Sequence, residues 1–88
     1  MGLDNYLKGK IALYSLSYRD IEKKTGIARG NLSNYLSGKS KPSSSTIRKL
    51  AILFATQDKE QEALDDSQYN DRRFLYMIVL TEMVGRND

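Results

Sequence analysis

The sequence predicts a small all-α protein, and three observations lead to that fold class. Apolar residues recur every three or four positions along much of the chain, which is the spacing of a helix with one buried face. Two short helical patterns are separated by only about three residues that include a glycine, as in a tight turn between packed helices. The chain of 88 residues, with one proline and no cysteine, has the length of a single domain.

The composition excludes several functional classes. Without cysteine or histidine there is no disulfide, thiol nucleophile, imidazole base or common zinc site, so we do not expect an enzyme. The longest apolar run, Phe74 to Leu80, is far shorter than the roughly 18 residues that span a membrane. Asp4 and Lys8 stand where a signal peptide needs apolar residues. We therefore expect a soluble cytoplasmic protein.

Charge is distributed unevenly along the chain. Residues 1–55 contain ten basic and three acidic side chains, a net charge of +7. Residues 56–88 contain four basic and eight acidic side chains, a net charge of −4. This asymmetry suggests that the first part faces a polyanion and the second part does not, although lysines also solvate ordinary helix faces.

The first three helices are predicted from their apolar spacing and their end signals. Helix 1 covers about 3–13, and its apolar face is formed by Leu3, Leu7, Ile11 and Tyr14. Helix 2 covers about 18–24, with Ser17 as its cap and Gly26 ending it in the left-handed conformation. Helix 3 covers about 28–37 and ends at Gly38.

The rest of the chain divides into three predicted parts. Helix 4 covers about 44–55, and residues 1–55 together form the first unit. Residues 56–71 are acidic and almost free of aliphatic side chains, which predicts a linker or one short helix near 58–65. Asp71 is expected to cap an apolar helix over 72–85; its Tyr, Ile and Val would also suit a strand.

Several motifs in Leu16 to Phe54 fall at the intervals of a known family. They are the capping Ser17, Ile21, the Thr25-Gly26-Ile27 turn, Leu32, Tyr35, Ser37-Gly38-Lys39, Pro42-Ser43 and Lys49-Leu50-Ala51. This stretch closely resembles the Cro/C1-type (XRE-like) helix-turn-helix family of phage and bacterial repressors. The resemblance covers roughly residues 3–55 and implies a lambda-repressor-like bundle whose helix 3 enters the DNA major groove.

Base-reading and phosphate-binding residues are predicted from this arrangement. The N-terminal half of helix 3 presents the base-reading set, Arg29, Gly30, Asn31 and Asn34. Arginine can donate two hydrogen bonds to guanine, and asparagine can pair with adenine. Phosphate contacts are expected from the start of helix 2 and from the loop after helix 3, at Ser17, Tyr18, Lys39 and Lys41.

Three residues depart from the family pattern. Tyr18 stands where the family often has glutamine, so its hydroxyl would have to donate to phosphate instead. Gly30 stands where a polar side chain is usual. Glu22 replaces the alanine that usually packs between helices 2 and 3, and we expect it to lean outward toward Arg19 or Lys23.

The acidic segment contains alternating oxygen ligands of the kind found in calcium loops, at Asp65, Asp66, Gln68, Asn70 and Asp71. The central glycine and the distal glutamate of such loops are missing, so we expect no metal. No phosphate loop or catalytic pair is present, and no cofactor is expected.

The sequence therefore predicts a transcriptional repressor of the kind carried by phages and mobile elements, bound to the nucleoid through a two-fold related operator. Apolar residues around helix 72–85 suggest a homodimer formed by Phe74, Met77, Ile78, Leu80 and Val84. Alternatively, this helix only completes the monomer core. Two other functions stay open: an antitoxin whose C-terminal part binds a toxin, and a protein-interaction module that does not bind DNA.

Overall fold

The computed structural model describes residues 2–85, and over these residues the chain forms five helices and no strand. The helices are α1 (Leu3–Leu13), α2 (Tyr18–Thr25), α3 (Arg29–Leu36), α4 (Ser44–Glu62) and α5 (Asp66–Val84). The predicted all-α fold is confirmed, and each of the first three helices begins and ends within one residue of its expected bounds. In this described part, no helix is both long and apolar enough to cross a membrane.

All five helices contribute to one hydrophobic core. Its largest fully buried side chains are Leu7, Ile21, Leu32, Leu50, Phe54 and Leu80. The ring of Phe54 packs on Tyr14 and Tyr76, with centroid distances of 5.9 and 5.6 Å. Because each buried side chain of this size contributes about 1.5–3 kcal/mol, α5 is an integral part of the monomer.

Helix α4 is longer than the sequence analysis predicts. It begins at Ser44 as expected, but it continues beyond residue 55 to Glu62. The prediction of a linker or a separate short helix over 56–71 is therefore wrong. Gln57 and Asp58 are polar and so hide the apolar spacing in the sequence, yet both are buried in the fold.

Helix α5 also begins earlier than predicted. Ala63, in the left-handed conformation at φ 52°, ends α4, and Asp65 caps α5. The Asp65 carboxylate accepts from the Gln68 N–H at 2.8 Å, and the Gln68 side chain accepts from the Asp65 N–H at 3.0 Å. Asp71, the predicted cap, lies inside α5. The choice of helix over strand for the apolar C-terminal run is confirmed.

A buried polar network around Asp58 joins α1, α4 and α5. The hydroxyls of Tyr14 and Tyr76 both donate to the Asp58 carboxylate, and Nη1 of Arg72 donates to its Oδ2 at 3.0 Å. Arg72 also donates two hydrogen bonds to Glu62, each at 3.0 Å. Burial by itself raises the pKa of Asp58, but the hydrogen bonds outweigh it and the pKa lies below its usual value. The carboxylate therefore stays ionised and fully hydrogen-bonded.

Candidate nucleic-acid interface

Hydrogen bonds within the turn between α2 and α3 fix its conformation. Oγ1 of Thr25 donates to the Ile21 carbonyl at 2.6 Å and accepts from the Ile27 N–H at 3.1 Å. Gly26 has φ 78°, and its N–H donates to the Glu22 carbonyl at 2.8 Å. A side chain at this left-handed position would strain the backbone. The turn therefore sets the direction in which α3 leaves α2.

Helix α3 has one buried apolar side and one exposed polar side. Leu32 and Leu36 are buried in the core. The exposed side brings together the four predicted base-reading residues, Arg29, Gly30, Asn31 and Asn34. At 100° per residue, Arg29 and Asn31 lie at its two edges. A Cβ atom added at Gly30 would meet no atom within 4 Å, so this position is an open gap in the polar surface.

Ser33 belongs to the same exposed side, although it is not among the predicted base-reading residues. Its position three residues after Gly30 places it beside that gap. The residue next to it, Leu32, points into the core and leaves Ser33 on the outer side. The spacing of Gly30 and Ser33 was enough to predict that Ser33 lies on the exposed side. Its hydroxyl adds a hydrogen-bond donor and acceptor to this surface.

Glu22 contacts Arg29 across the turn, a pairing that the sequence analysis also missed. Oε1 of Glu22 lies 3.2 Å from Nε of Arg29, and Oε2 accepts from the Arg29 backbone N–H at 3.3 Å. The expectation that Glu22 leans toward Arg19 or Lys23 is therefore wrong. The reason is that α3 has no side-chain cap at Ala28, and the carboxylate takes over part of that role.

At the start of α2, both polar groups of Ser17 belong to a capping box. Its hydroxyl accepts from the Asp20 N–H and its N–H donates to the Asp20 carboxylate, each at 3.0 Å. These hydrogen bonds hold the pKa of Asp20 below its usual value, so a negative charge occupies this helix end. Tyr18 is 43% exposed and follows directly. Both predicted phosphate contacts at the start of α2 are therefore exposed, and the Ser17 hydroxyl already accepts a hydrogen bond as the helix cap.

The two lysines predicted to contact phosphate after α3 have different surroundings. Lys39 is exposed, and its backbone N–H donates to the Asn34 carbonyl at 2.9 Å, just beyond the end of α3. Nζ of Lys41 donates instead to the Val84 carbonyl at 3.2 Å, at the end of α5. A cation is stabilised at the negative end of a helix dipole. Lys41 thus links this loop to α5, while Lys39 lies next to the exposed side of α3.

The outer side of α5 carries an exposed apolar strip. The exposed fractions of Phe74, Leu75 and Ile78 are 67%, 51% and 49%. A shallow groove beside them is lined by Phe74, Met77, Ile78, Thr81 and Glu82. Among the residues predicted for dimerisation, Met77 and Val84 are partly buried against the core. Leu80 is fully buried, so its assignment to the dimer surface is wrong: its position on the helix turns it inward.

The acidic residues near the turn between α4 and α5 have structural partners. Asp65 caps α5, and Oδ1 of Asp66 lies 2.8 Å from Nζ of Lys59. Within residues 2–85, no group of three or more potential acidic ligands is placed to hold a metal ion. These residues therefore fix the ends of α4 and α5.

Comparison with known proteins gives one family match. A protein-family model described as helix-turn-helix matches residues 7–58, more than half of the chain. The matched range contains α2, the turn and α3, with most of α1 and α4. No curated protein and no solved structure matches the chain.

Proposed function

Because this chain belongs to the Cro/C1-type helix-turn-helix family of DNA-binding regulators, we propose that it is a sequence-specific transcriptional repressor that binds double-stranded DNA as a homodimer. The observation that carries this proposal is the exposed polar side of α3, which Leu32 and Leu36 hold outward from the core. The family is generally non-enzymatic, so the proposed activity is DNA binding itself.

Base reading is assigned to the exposed side of α3. The Arg29 guanidinium can donate to O6 and N7 of guanine, and the Asn34 amide can pair with N6 and N7 of adenine. Each well-formed pair of this kind is worth about 1–3 kcal/mol of discrimination between bases. Asn31 and Ser33 add polar groups to the same surface, and the open position at Gly30 allows close approach to a thymine methyl group.

Affinity is assigned to phosphate contacts from the basic part of the chain. Residues 1–55 have a net charge of +7, and Lys39 and Tyr18 are exposed near the two ends of the α2–α3 unit. Neutralising phosphates releases condensed counterions, which makes binding strong at low salt and weak at high salt. The acidic residues of 56–88 favour an orientation in which α5 points away from the DNA.

The homodimer is supported by the exposed apolar strip on the outer side of α5. Phe74, Leu75 and Ile78 are exposed there. If two copies of α5 pack antiparallel about a two-fold axis, the strip of each copy lies on the strip of the other. The exposed Phe74 is then covered by the second copy. The surface is thus complementary to itself in apolar character.

A two-fold dimer also fits the geometry of DNA. Recognition helices related by a two-fold axis read two half-sites about 34 Å apart, which is one helical turn. Binding two half-sites at once raises the affinity well above that of one small domain. We propose that the chain occupies a promoter in this way within the cytoplasm, at the nucleoid, and that it originates from a phage or mobile element.

An antitoxin is the second candidate function, and the same apolar strip favours it. A toxin helix could cover Phe74, Leu75 and Ile78 in place of a second copy. DNA binding through α3 would then regulate the synthesis of both proteins. The two candidates differ in the state of the isolated chain, which would be monomeric if the strip is reserved for a toxin.

The proposed function is tested by selecting bound duplexes from a pool of random DNA with the purified full chain. We expect enrichment of two inverted half-sites with centres about 10 base pairs apart. Enrichment of a single half-site would contradict the homodimer alone. Failure to enrich any sequence, with binding that depends only on salt, would contradict sequence-specific recognition.

The dimer is tested by placing a charge in the apolar strip of α5 and measuring mass by analytical ultracentrifugation. Ile78→Glu should weaken the dimer, because two-fold symmetry brings the charges of both copies into one apolar contact. Glu60→Arg, an exposed reversal on α4, serves as the control and should have no effect. A dimer that is unchanged in Ile78→Glu would contradict the assignment of this strip to the dimer.

A further inference from the structure

The ion pair between Glu22 and Arg29 lies at one edge of the exposed side of α3. The two side chains are 40% and 58% exposed, and an ion pair this exposed contributes little to folding stability. A carboxylate beside a DNA-binding surface also repels phosphates, which weakens attraction to every DNA sequence. The hydrogen bond from the Arg29 N–H to Glu22 Oε2 accounts for a capping role, but neither capping nor general affinity explains the second contact, from Oε1 to the Arg29 side chain.

The geometry of the contact suggests its role. Oε1 of Glu22 binds Nε of Arg29, and Oε2 is held by the Arg29 backbone N–H. The carboxylate is therefore oriented by the start of α3 and in turn orients the guanidinium. A contact at Nε does not use the two terminal nitrogens, Nη1 and Nη2, which form the fork that fits O6 and N7 of guanine.

We propose that Glu22 is a positioning residue that makes Arg29 selective for guanine. This inference rests on the proposed function, because it requires Arg29 to read a base. Arginine has many rotamers, and a free side chain would lose them on binding; the ion pair restricts them beforehand. A restricted guanidinium also reaches fewer alternative acceptors, including phosphates, so the wrong base pair gains less from it.

The pair also connects the two helices that perform different tasks on DNA. Glu22 belongs to α2, which in this motif lies across the phosphate backbone, while Arg29 begins α3. The position of α2 on the backbone is thereby transmitted to the guanidinium. A restricted arginine is worth about a two- to tenfold gain in discrimination, the equivalent of immobilising one flexible side chain.

The test measures affinity for two DNA sites. One is the selected site, and in the other the guanine that Arg29 is proposed to contact is replaced in each half-site. The full chain is compared with Glu22→Ala, Glu22→Gln, Arg29→Ala and the double variant Glu22→Ala/Arg29→Ala. We expect Arg29→Ala to lose about five- to 150-fold of discrimination at one base pair. Glu22→Ala should lose about two- to tenfold at that same base pair, and the double variant should match Arg29→Ala.

Glu22→Gln keeps an oxygen that accepts from Nε but removes the charge, so it should retain more of the discrimination than Glu22→Ala does. Glu60→Gln, which removes an exposed carboxylate from α4, should leave discrimination unchanged. Discrimination at the Asn34 base pair should also be unchanged in Glu22→Ala. A loss that is equal at both base pairs would mean that Glu22 only supports the fold, and it would overturn the proposal.

Two other results overturn the proposal and are distinguishable. If Glu22→Ala raises affinity equally for all DNA and keeps full discrimination, Glu22 only repels phosphate, and the proposed function still stands. If Arg29→Ala keeps full discrimination at every base pair, the assignment of Arg29 fails together with that of Glu22. Urea unfolding of each variant establishes that these differences arise in the folded protein.

Discussion

The α2–α3 unit and the α4–α5 pair differ in what holds them in place. Helices α2 and α3 have eight residues each, and local hydrogen bonds at Ser17, Thr25 and Gly26 set both ends of α2. Helices α4 and α5 have 19 residues each and are joined by contacts between residues far apart in sequence. Two of the side-chain hydrogen bonds between them, from Arg72 and Tyr76, converge on Asp58.

This difference separates recognition from stability. The exposed residues of α3 contribute little to the core, so they can change without loss of the fold. The α4–α5 pair, with Tyr14 just after α1, provides the base on which the short helices pack. Changes in the base should therefore alter stability, and changes on α3 should alter DNA binding alone.

The largest effect is expected from Asp58→Ala. Removing this carboxylate leaves the hydroxyls of Tyr14 and Tyr76 and part of Arg72 without their buried acceptor. The free energy of unfolding should fall by about 3 kcal/mol, measured by urea denaturation. Glu60→Ala, which removes an exposed carboxylate two residues away on α4, should cost less than about 0.5 kcal/mol. Similar values for both variants would contradict the role of the network.

Alkaline pH should lower the free energy of unfolding through the same Asp58 network. Burial and the hydrogen bond to Asp58 raise the pKa of Tyr76 to about 12, above the value near 10 of an unfolded tyrosine. The resulting stability is therefore present below pH 10 and is lost as the pH rises toward 12. Thermal denaturation across this range should show the loss, and Tyr76→Phe should reduce its size. An unchanged slope in Tyr76→Phe would contradict this assignment.

Two exchanges of glycine and alanine compare the ends of α2 and α4 directly. Gly26→Ala should lower the free energy of unfolding by about 1 kcal/mol, because φ is 78° there. Ala63→Gly should raise it by about 0.5 kcal/mol, because Ala63 already has φ 52°. Opposite signs in urea denaturation are expected. The same sign for both would show that backbone conformation at these helix ends does not control stability.

The smallest expected effect is a difference between Lys39 and Lys41 in the salt dependence of DNA affinity. Lys39→Ala should reduce the slope of log affinity against log salt by about 0.9 for each subunit. Lys41→Ala should reduce it less, because Nζ of Lys41 donates to the Val84 carbonyl. Fluorescence anisotropy at several salt concentrations measures both slopes. A larger reduction for Lys41 would reverse the assignment.

The sequence was sufficient to predict the helix-turn-helix because its signals are local. The Ser17 cap and the left-handed Gly26 act within a few residues of their own positions, and both are present in the structure. The outward side of α3 follows from the spacing of Leu32 and Leu36 in the same way.

The remaining features depend on contacts between distant residues. Asp58 falls within the acidic segment that the sequence assigns to a linker or short helix, and its burial is not predicted because its partner Tyr14 lies 44 residues away. The continuation of α4 and the burial of Leu80 follow from packing that no local pattern encodes. Within the candidate site, the pairing of Glu22 with Arg29 crosses a turn and so has no periodic signal.

The proposal that the exposed side of α3 reads DNA sequence is tested by comparing Asn34→Ala with Asn70→Ala. Both residues are exposed asparagines on helices, but Asn34 lies on α3 and Asn70 on α5. Binding is measured by fluorescence anisotropy on the selected site and on a random duplex. Asn34→Ala should weaken binding to the selected site by about five- to 150-fold and change binding to the random duplex by less than about twofold. Asn70→Ala should change neither, and equal effects of the two substitutions would contradict the claim.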